Sequence, residues 1–252
     1  MTLSFTFDCA ALTHVGKVRK INEDSLIDRP EIGLWAVADG MGGHGGGDLA
    51  SGAVIKTLAE MPAPASASEF LHEFEDRIVS VNGELQRIGS ERAGAVIGTT
   101  LVAILVFEAH YACAWCGDSR AYLMREGELS QITRDHSEVQ DLIDSGMLSR
   151  EQAKTWPGRN VVTRALGARP VAEVDVVSGR AYEGDRFLLC SDGLVGHLSD
   201  AEIAEELKCG APGAACDALV EKTLERGASD NVSVIVFDCR PRDAETAVIA
   251  PS

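Results

Sequence analysis

Apolar and β-branched runs bounded by glycine, aspartate or turn residues recur along the chain at 32–38, 99–107, 110–115, 121–125, 129–133, 171–177, 186–190 and 232–239. Their length and residue types predict strands. Between them, apolar residues spaced every three or four positions predict helices over 48–61, 68–88, 137–145, 199–207 and 211–226, often behind a Ser or Asp cap. Glu126-Gly127-Glu128 joins two closely spaced strands, a hairpin signature that favours antiparallel pairing over a purely parallel sheet. The segment 62–67 is a Pro/Ala/Ser linker between two helices, no internal repeat is present, and the stretch from residue 240 to 252 lacks periodicity and is expected to fray.

A chain of 252 residues buries about 72% of its extended surface, so neither disulfides nor a structural metal are needed for folding. Charge changes the picture more. Lys plus Arg is 23 against 39 Asp plus Glu, a formal net charge of −16, and such a field repels nucleic acid and anionic lipid. No apolar run approaches the roughly 20 residues that span a bilayer, and the start MTLSFTFDCAALTHVGK lacks a secretory pattern, so a cytoplasmic protein is expected. The seven cysteines (9, 113, 116, 190, 209, 216 and 239) are odd in number and mostly set among apolar residues, the usage of buried thiols in a reducing compartment. Cys113 and Cys116 form a CxxC with no second pair to complete a zinc site.

Candidate chemistry lies where aspartates meet strand ends. Asp39 and Asp192 each follow an apolar strand and precede glycine, Asp118 follows the strand 110–115, and Asp230 directly precedes the strand from 232. Any one of them alone reads as a turn residue. If the topology gathers them, four hard oxygen ligands at one sheet edge call for divalent cations between them, Mg²⁺ or Mn²⁺ being the natural occupants.

The sequence resembles the metal-dependent protein serine/threonine phosphatases (PPM, protein phosphatase type 2C) in their compact bacterial form. The likeness runs from about Ser4 to Cys239 in ordered blocks: GKVRKINEDS (16–25), WAVADGMGGHGGG (35–47), GTTLVAIL (98–105), CGDSRAYL (116–123), ITRDHSEVQ (132–140), VVTRALG (161–167), LLCSDGLVGHL (188–198) and GASDNVSVIVF (227–237). It implies an α+β fold, a four-layer α-β-β-α sandwich of two antiparallel sheets flanked by helices, with metals in a cleft at one end. One catalytic domain at 1–240, a flap at about 137–164 and a flexible tail at 241–252 follow from the same likeness.

Residue by residue, the resemblance makes Asp39 the ligand bridging two metal ions and Gly40 a backbone-carbonyl ligand. Asp192 and Asp230 complete the second ion's shell, and Asp118 joins Asp192 at a third, weaker site. Glu23 and Asp24 hold metal-bound waters, and Arg19 grips the substrate phosphate through a planar fork that lysine cannot reproduce. His44 matches a leaving-group acid or a structural hydrogen bonder, its offset from Asp39-Gly40 leaving both open. His136 is expected to order the turn before the next helix, and Ser191 lacks the GxSxG elbow of a serine nucleophile. His14 stands where the family usually has aspartate, a departure that touches a supporting contact and not the ligand set.

The implied activity is hydrolysis of phosphoserine and phosphothreonine in proteins by a metal-activated water, with two ions and a weaker third. Two cations about 3.5 to 4 Å apart acidify the water and neutralise the phosphoryl oxygens, so no phosphoenzyme is needed. Expected partners are phosphorylated protein substrates, including a Ser/Thr kinase that the enzyme opposes, with no nucleic acid or membrane and with the chain a monomer. A non-catalytic scaffold is disfavoured because the ligand set is intact, and a calcium-binding structural domain lacks EF-hand spacing. The global acidity hints at substrates with basic residues around the phosphosite.

Overall fold

The computed structural model describes residues 5–42, 45–92, 96–153, 155–208 and 210–242. His44, Cys209 and the tail from residue 243, on all of which sequence expectations fell, lie outside them. In chain order the strands are β1 (Phe5–His14), β2 (Asp24–Arg29), β3 (Leu34–Met41), β4 (Gly98–Thr99), β5 (Leu101–Phe107), β6 (His110–Cys116), β7 (Arg120–Arg125), β8 (Glu128–Gln131), β9 (Asp175–Arg180), β10 (Arg186–Cys190) and β11 (Val232–Pro241). The helices are α1 (Gly47–Ala59), α2 (Ala67–Glu91), α3 (Glu138–Asp144), α4 (Arg150–Ala153), α5 (Asp192–Val195), α6 (Asp200–Leu207) and α7 (Pro212–Glu225).

Two antiparallel sheets carry the fold, one ordered β1-β11-β10-β7-β8 and the other β2-β3-β5-β6-β9, with β4 added beside β3. Strand alternation sorts their side chains into three apolar layers. On β3, Trp35 and Val37 fill the gap between the sheets, whereas Leu34 and Ala36 pack with Val54, Leu58, Phe70, Phe74 and Ile78 of α1 and α2. On β11, Ile235 and Phe237 enter the same gap while Val234 and Val236 meet Ile203, Leu207, Leu219 and Val220 of α6 and α7. Both faces of each central strand are thus covered, which is why these strands read as unbroken apolar runs. The result is the α-β-β-α sandwich.

Aromatic rings centre the inter-sheet layer. Trp35 stacks on Phe237 at a centroid distance of 3.8 Å, and Phe187 stacks on the same ring at 4.9 Å. Phe237 is fully buried, so Phe237→Ala is expected to destabilise the fold by about 3–5 kcal/mol. Urea unfolding should show this as a lower midpoint at constant slope; a loss below about 1 kcal/mol would mean the sheets do not depend on this contact.

Some boundaries differ from the sequence pattern. β1 and β2 were not expected, because both lie at the outer end of their sheets and interrupt their apolar residues with Thr6, Asp8, Asp24, Ser25 and Asp28. The predicted strand 171–177 is displaced to β9, with Val171 70% exposed in the preceding loop. β8 starts one residue early because the hairpin turn is only Glu126-Gly127, both at positive φ (53° and 84°), the two-residue geometry that matches strand twist. Ser66 caps α2, its Oγ accepting the Glu69 N–H at 3.1 Å. Cys113, Cys116, Cys190, Cys216 and Cys239 are buried free thiols. Burial raises the pKa of Cys116 to about 12, so it stays protonated and apolar.

Candidate active site

One end of the sandwich is organised around Asn231, which immediately precedes β11. Its side-chain amide donates to the carbonyls of Val15 and Ile21 at 2.9 and 3.0 Å, and its Oδ1 accepts the Glu23 N–H at 2.8 Å. The Lys17 N–H donates to the Ala228 carbonyl at 2.9 Å, and the Gly16 N–H donates to His14 Nδ1 at 2.9 Å. Residues 15–23 are thereby bent into a tight arch over the start of β11. From the arch, Arg19 Nη2 donates to Asp230 Oδ2 at 2.7 Å, with the two side chains 50% and 36% exposed. A guanidinium this open remains reachable from solvent.

The acidic residues arrive at this end from both sheets. Register pairs Asp24 at the start of β2 with Asp39 on β3. Thr99 and Thr100 hold the Asp39 backbone: its carbonyl accepts from Thr99 Oγ1 at 2.9 Å and the Thr100 N–H at 2.8 Å, and its N–H donates to Thr100 Oγ1 at 3.1 Å. Thr100 Oγ1 in turn meets Ser119 Oγ at 2.8 Å, beside Asp118 in the turn after β6. Asp192 opens α5 at the end of β10. The following Gly193 lies so close to the next segment that a Cβ would stand 1.8 Å from the Asn231 carbonyl oxygen, so only glycine lets Asp192 sit against Asp230-Asn231.

Glu23 and Asp24 have distinct surroundings. A Cβ on Gly47, the first residue of α1, would meet Glu23 Oε1 at 2.5 Å, so the Glu23 carboxylate lies directly against that backbone. Asp24 is buried; its Oδ2 accepts from Ser191 Oγ at 2.8 Å and Ser233 Oγ at 2.7 Å, while its buried Oδ1 has no hydrogen-bond partner among the described residues.

Loss of hydration, then mutual repulsion, raises the pKa values of Asp24, Asp39, Asp118 and Asp192. Enclosure by protein, followed by the charges of Asp24, Asp192, Asp118 and Asp230, holds the Asp39 carboxyl well above the usual range. Burial, with Asp192 and Asp135 adding to it, lifts Asp118 to about 8, and burial outweighs the two serine hydrogen bonds to take Asp24 to about 6. Asp192 is also raised, by loss of hydration first and by Asp230 next. So many carboxyls cannot all ionise here without a compensating cation.

The hard oxygen set and the orphaned Asp24 Oδ1 fit a divalent cation by donor chemistry. Among the described residues, however, no three His, Cys, Asp or Glu side chains close on a common point, and one Asp230 oxygen is engaged by Arg19. Of the nine candidate residues, Asp24, Asp39, Asp118, Asp192 and Asp230 share one electrostatic cluster and Arg19 contacts it. Gly40 donates its N–H to the Glu23 carbonyl at 3.0 Å beside the cluster, Glu23 flanks it, and His44 lies outside the described residues.

Sequence reasoning passed over Asn231, Ser191 and Ser233 as parts of this end. Ser233 carried a readable signal, a single hydroxyl inside an apolar strand. Ser191 Oγ, fully buried, donates to Asp24 and accepts the Ser233 N–H at 3.0 Å, which is the work of a brace and not of a nucleophile. His136 is buried at the base of the segment 137–164. It takes the Gly117 N–H on Nδ1 at 3.2 Å, places Nε2 3.2 Å from Asp175 and stacks on Trp115 at 5.9 Å.

The protein phosphatase 2C family profile matches residues 12–232. The serine/threonine protein phosphatase PstP of Mycobacterium tuberculosis is 39% identical over 230 residues, covering 91% of this chain but 44% of PstP, so the chain spans less than half of that relative. The serine/threonine phosphatase stp of Listeria innocua is 34% identical over 90% of this chain and 93% of its own length. Among solved structures, the PstP catalytic domain in complex with two manganese ions superposes with a TM-score of 0.85 at 36% identity, covering 93% of this chain and 98% of that one. A sandwich that gathers its strand-end aspartates at one edge, matched over nearly its whole length by this profile, makes the chain a member of the protein phosphatase 2C family.

Proposed function

We propose that the chain hydrolyses phosphoserine and phosphothreonine in proteins at a magnesium or manganese centre. The observation that carries this reading is the cluster of Asp24, Asp39, Asp118 and Asp192, all held above their ordinary pKa, beside the solvent-reachable Arg19. Such an arrangement costs stability unless a cation is its counterpart.

In this reading Asp39, the Gly40 carbonyl, Asp192 and Asp230 would hold two ions, and Asp118 with Asp192 would hold a third, weaker one. Bound there, the ions supply an acidified water and charge for the phosphoryl oxygens. Glu23, and Asp24 through its unpartnered Oδ1, orient water at the centre. Arg19 exchanges part of its contact with Asp230 for phosphate oxygens, for which its fork has matching geometry. His44 stands after Asp39-Gly40 in the sequence and is left by the resemblance as either the leaving-group acid or a structural hydrogen bonder.

The PstP and stp names and the two manganese ions of the PstP structure support this reading. We assign 1–240 to one catalytic domain with 137–164 as its flap, and we expect a cytoplasmic monomer that opposes a Ser/Thr kinase. No helix among the described residues is long and apolar enough to cross a membrane.

The test is turnover of a small aryl phosphate by purified protein, first stripped by chelator and then given Mn²⁺ or Mg²⁺. Activity should be absent after stripping and return with metal. Protein that remains inactive at every metal concentration would overturn the enzyme reading in favour of a scaffold.

A further inference from the structure

The arch that carries Arg19 holds two more cations. Lys17 and Lys20 are exposed on it, and neither forms an ion pair among the described residues. Most other cations, Arg29, Arg77, Arg120, Arg125, Arg186, Arg226, Lys208 and Lys222 among them, pair with a carboxylate, whereas Lys56, Arg92, Arg150, Arg159 and Arg180 likewise form no ion pair among the described residues, at other places in the fold. In a chain of 39 acids and 23 bases, the close run of Lys17, Arg19 and Lys20 is a local basic exception beside the cleft.

Their position is fixed by backbone. Lys17 is anchored through its own N–H to Ala228, and the far foot of the arch is anchored at Ile21 and Glu23 by Asn231. At no more than about 3.6 Å per residue, the Cα atoms of Lys17 and Lys20 lie within about 7 and 4 Å of that of Arg19. At that spacing a lysine side chain of ordinary length is long enough to reach the neighbours of a group that Arg19 holds. Beside the cations, Val18 and Ile21 are 67% and 55% exposed, so the outer face of the arch is open.

We infer that Lys17 and Lys20 form a specificity ledge that favours substrates with a second anionic group, a carboxylate or another phosphate, within a few residues of the scissile phosphate. The inference rests on the phosphatase reading and gives its site a substrate class. It also reverses the expectation of basic flanks drawn from the global charge: with the aspartate cluster compensated by bound ions, the lysines of the arch are the exposed charges beside the phosphate, and acids beyond a Debye length of about 8–10 Å are screened.

The experiment compares phosphothreonine peptides of equal length whose neighbouring positions carry alanine, glutamate, lysine or a second phosphothreonine, with an aryl phosphate as reference. For wild-type protein, kcat/KM on the glutamate or doubly phosphorylated peptide should exceed that on the lysine peptide by about 3- to 20-fold, chiefly through KM, as two exposed charge pairs allow. The advantage should shrink as salt rises. Preference for glutamate as well as phosphate identifies a general anion ledge, and preference for the second phosphate alone identifies a phosphate subsite. Lys17→Ala/Lys20→Ala should bring the peptides within about twofold of one another while aryl phosphate turnover stays within about twofold of wild type. An unchanged preference in that double variant, or a wild-type preference for lysine flanks, overturns the ledge. Failure of aryl phosphate turnover counts against the phosphatase reading instead, and anisotropy titration of the same labelled peptides onto the metal-loaded protein then decides the ledge by whether the double variant loses the flank preference in Kd.

Discussion

Asp192→Ala is expected to lower metal-dependent kcat/KM on an aryl phosphate by more than about a hundredfold. Substituting a group one shell removed from a metal already costs about 10- to 100-fold, so removal of a carboxylate that is assigned to two of the ion sites should cost more. Position supports the size of the effect. Asp192 starts α5 where the backbone at Gly193 is pressed against Asn231, which fixes the position of its carboxylate. Asp39→Ala should behave alike, since Asp39 is the residue on which the charges of the other four aspartates converge. Asp118→Asn should retain clear turnover with a raised Mn²⁺ requirement, because only the weaker ion depends on it. Steady-state rates across a metal titration separate these cases; wild-type rates for Asp192→Ala would show that the cluster has been assigned the wrong work.

Metal removal should make stability fall as pH rises, opposite to the usual acid-sensitive behaviour of a salt-bridged protein. An unfolded aspartate titrates near 3.9, whereas Asp24 and Asp118 are pushed up to about 6 and about 8 and Asp39 and Asp192 are raised as well. A raised carboxyl leaves stability intact below the unfolded pKa and removes it as pH climbs through the folded one. In chelator, Tm should therefore drop between about pH 5 and 8 by several degrees, since 1 kcal/mol moves Tm by about 2–4 °C in a chain of this size. Saturating Mn²⁺ should abolish most of the decline. Asp118→Asn should raise the metal-free Tm at pH 8 while weakening metal use, a gain and a loss from the same substitution. A flat metal-free profile would mean that these acids are better solvated than their enclosure implies.

The central strands were legible because both of their faces are buried, which leaves uninterrupted apolar runs at β5, β6, β10 and β11. β1 and β2 were not, because an outer strand can carry an acid such as Asp8, which pairs with Arg240, and thereby loses the pattern. The aspartates stood out by their place at strand ends, and the ordered blocks gave them roles. What holds them was silent. Asn231 acts through backbone groups of residues 15, 21 and 23, some 208 to 216 positions away, and no periodicity in a single sequence encodes such a pairing. Ser191 and Ser233 are likewise ordinary residues until the two sheets face each other. Local signals reveal the groups that do chemistry, whereas the groups that aim them become visible only with topology.

The bond from Asp24 to Ser191 and Ser233 joins strands of opposite sheets, β2 on one side with β10 and β11 on the other. At mid-depth the layers adhere through stacked aromatic rings; at this end they are latched by directional hydrogen bonds. The catalytic mouth is thus the place where the two sheets are indexed to each other, so a lesion at Asp24 would blur their relative setting as well as the chemistry. Hydrogen exchange at the ends of β2 and β10 would register that loosening even in a protein whose middle remains intact.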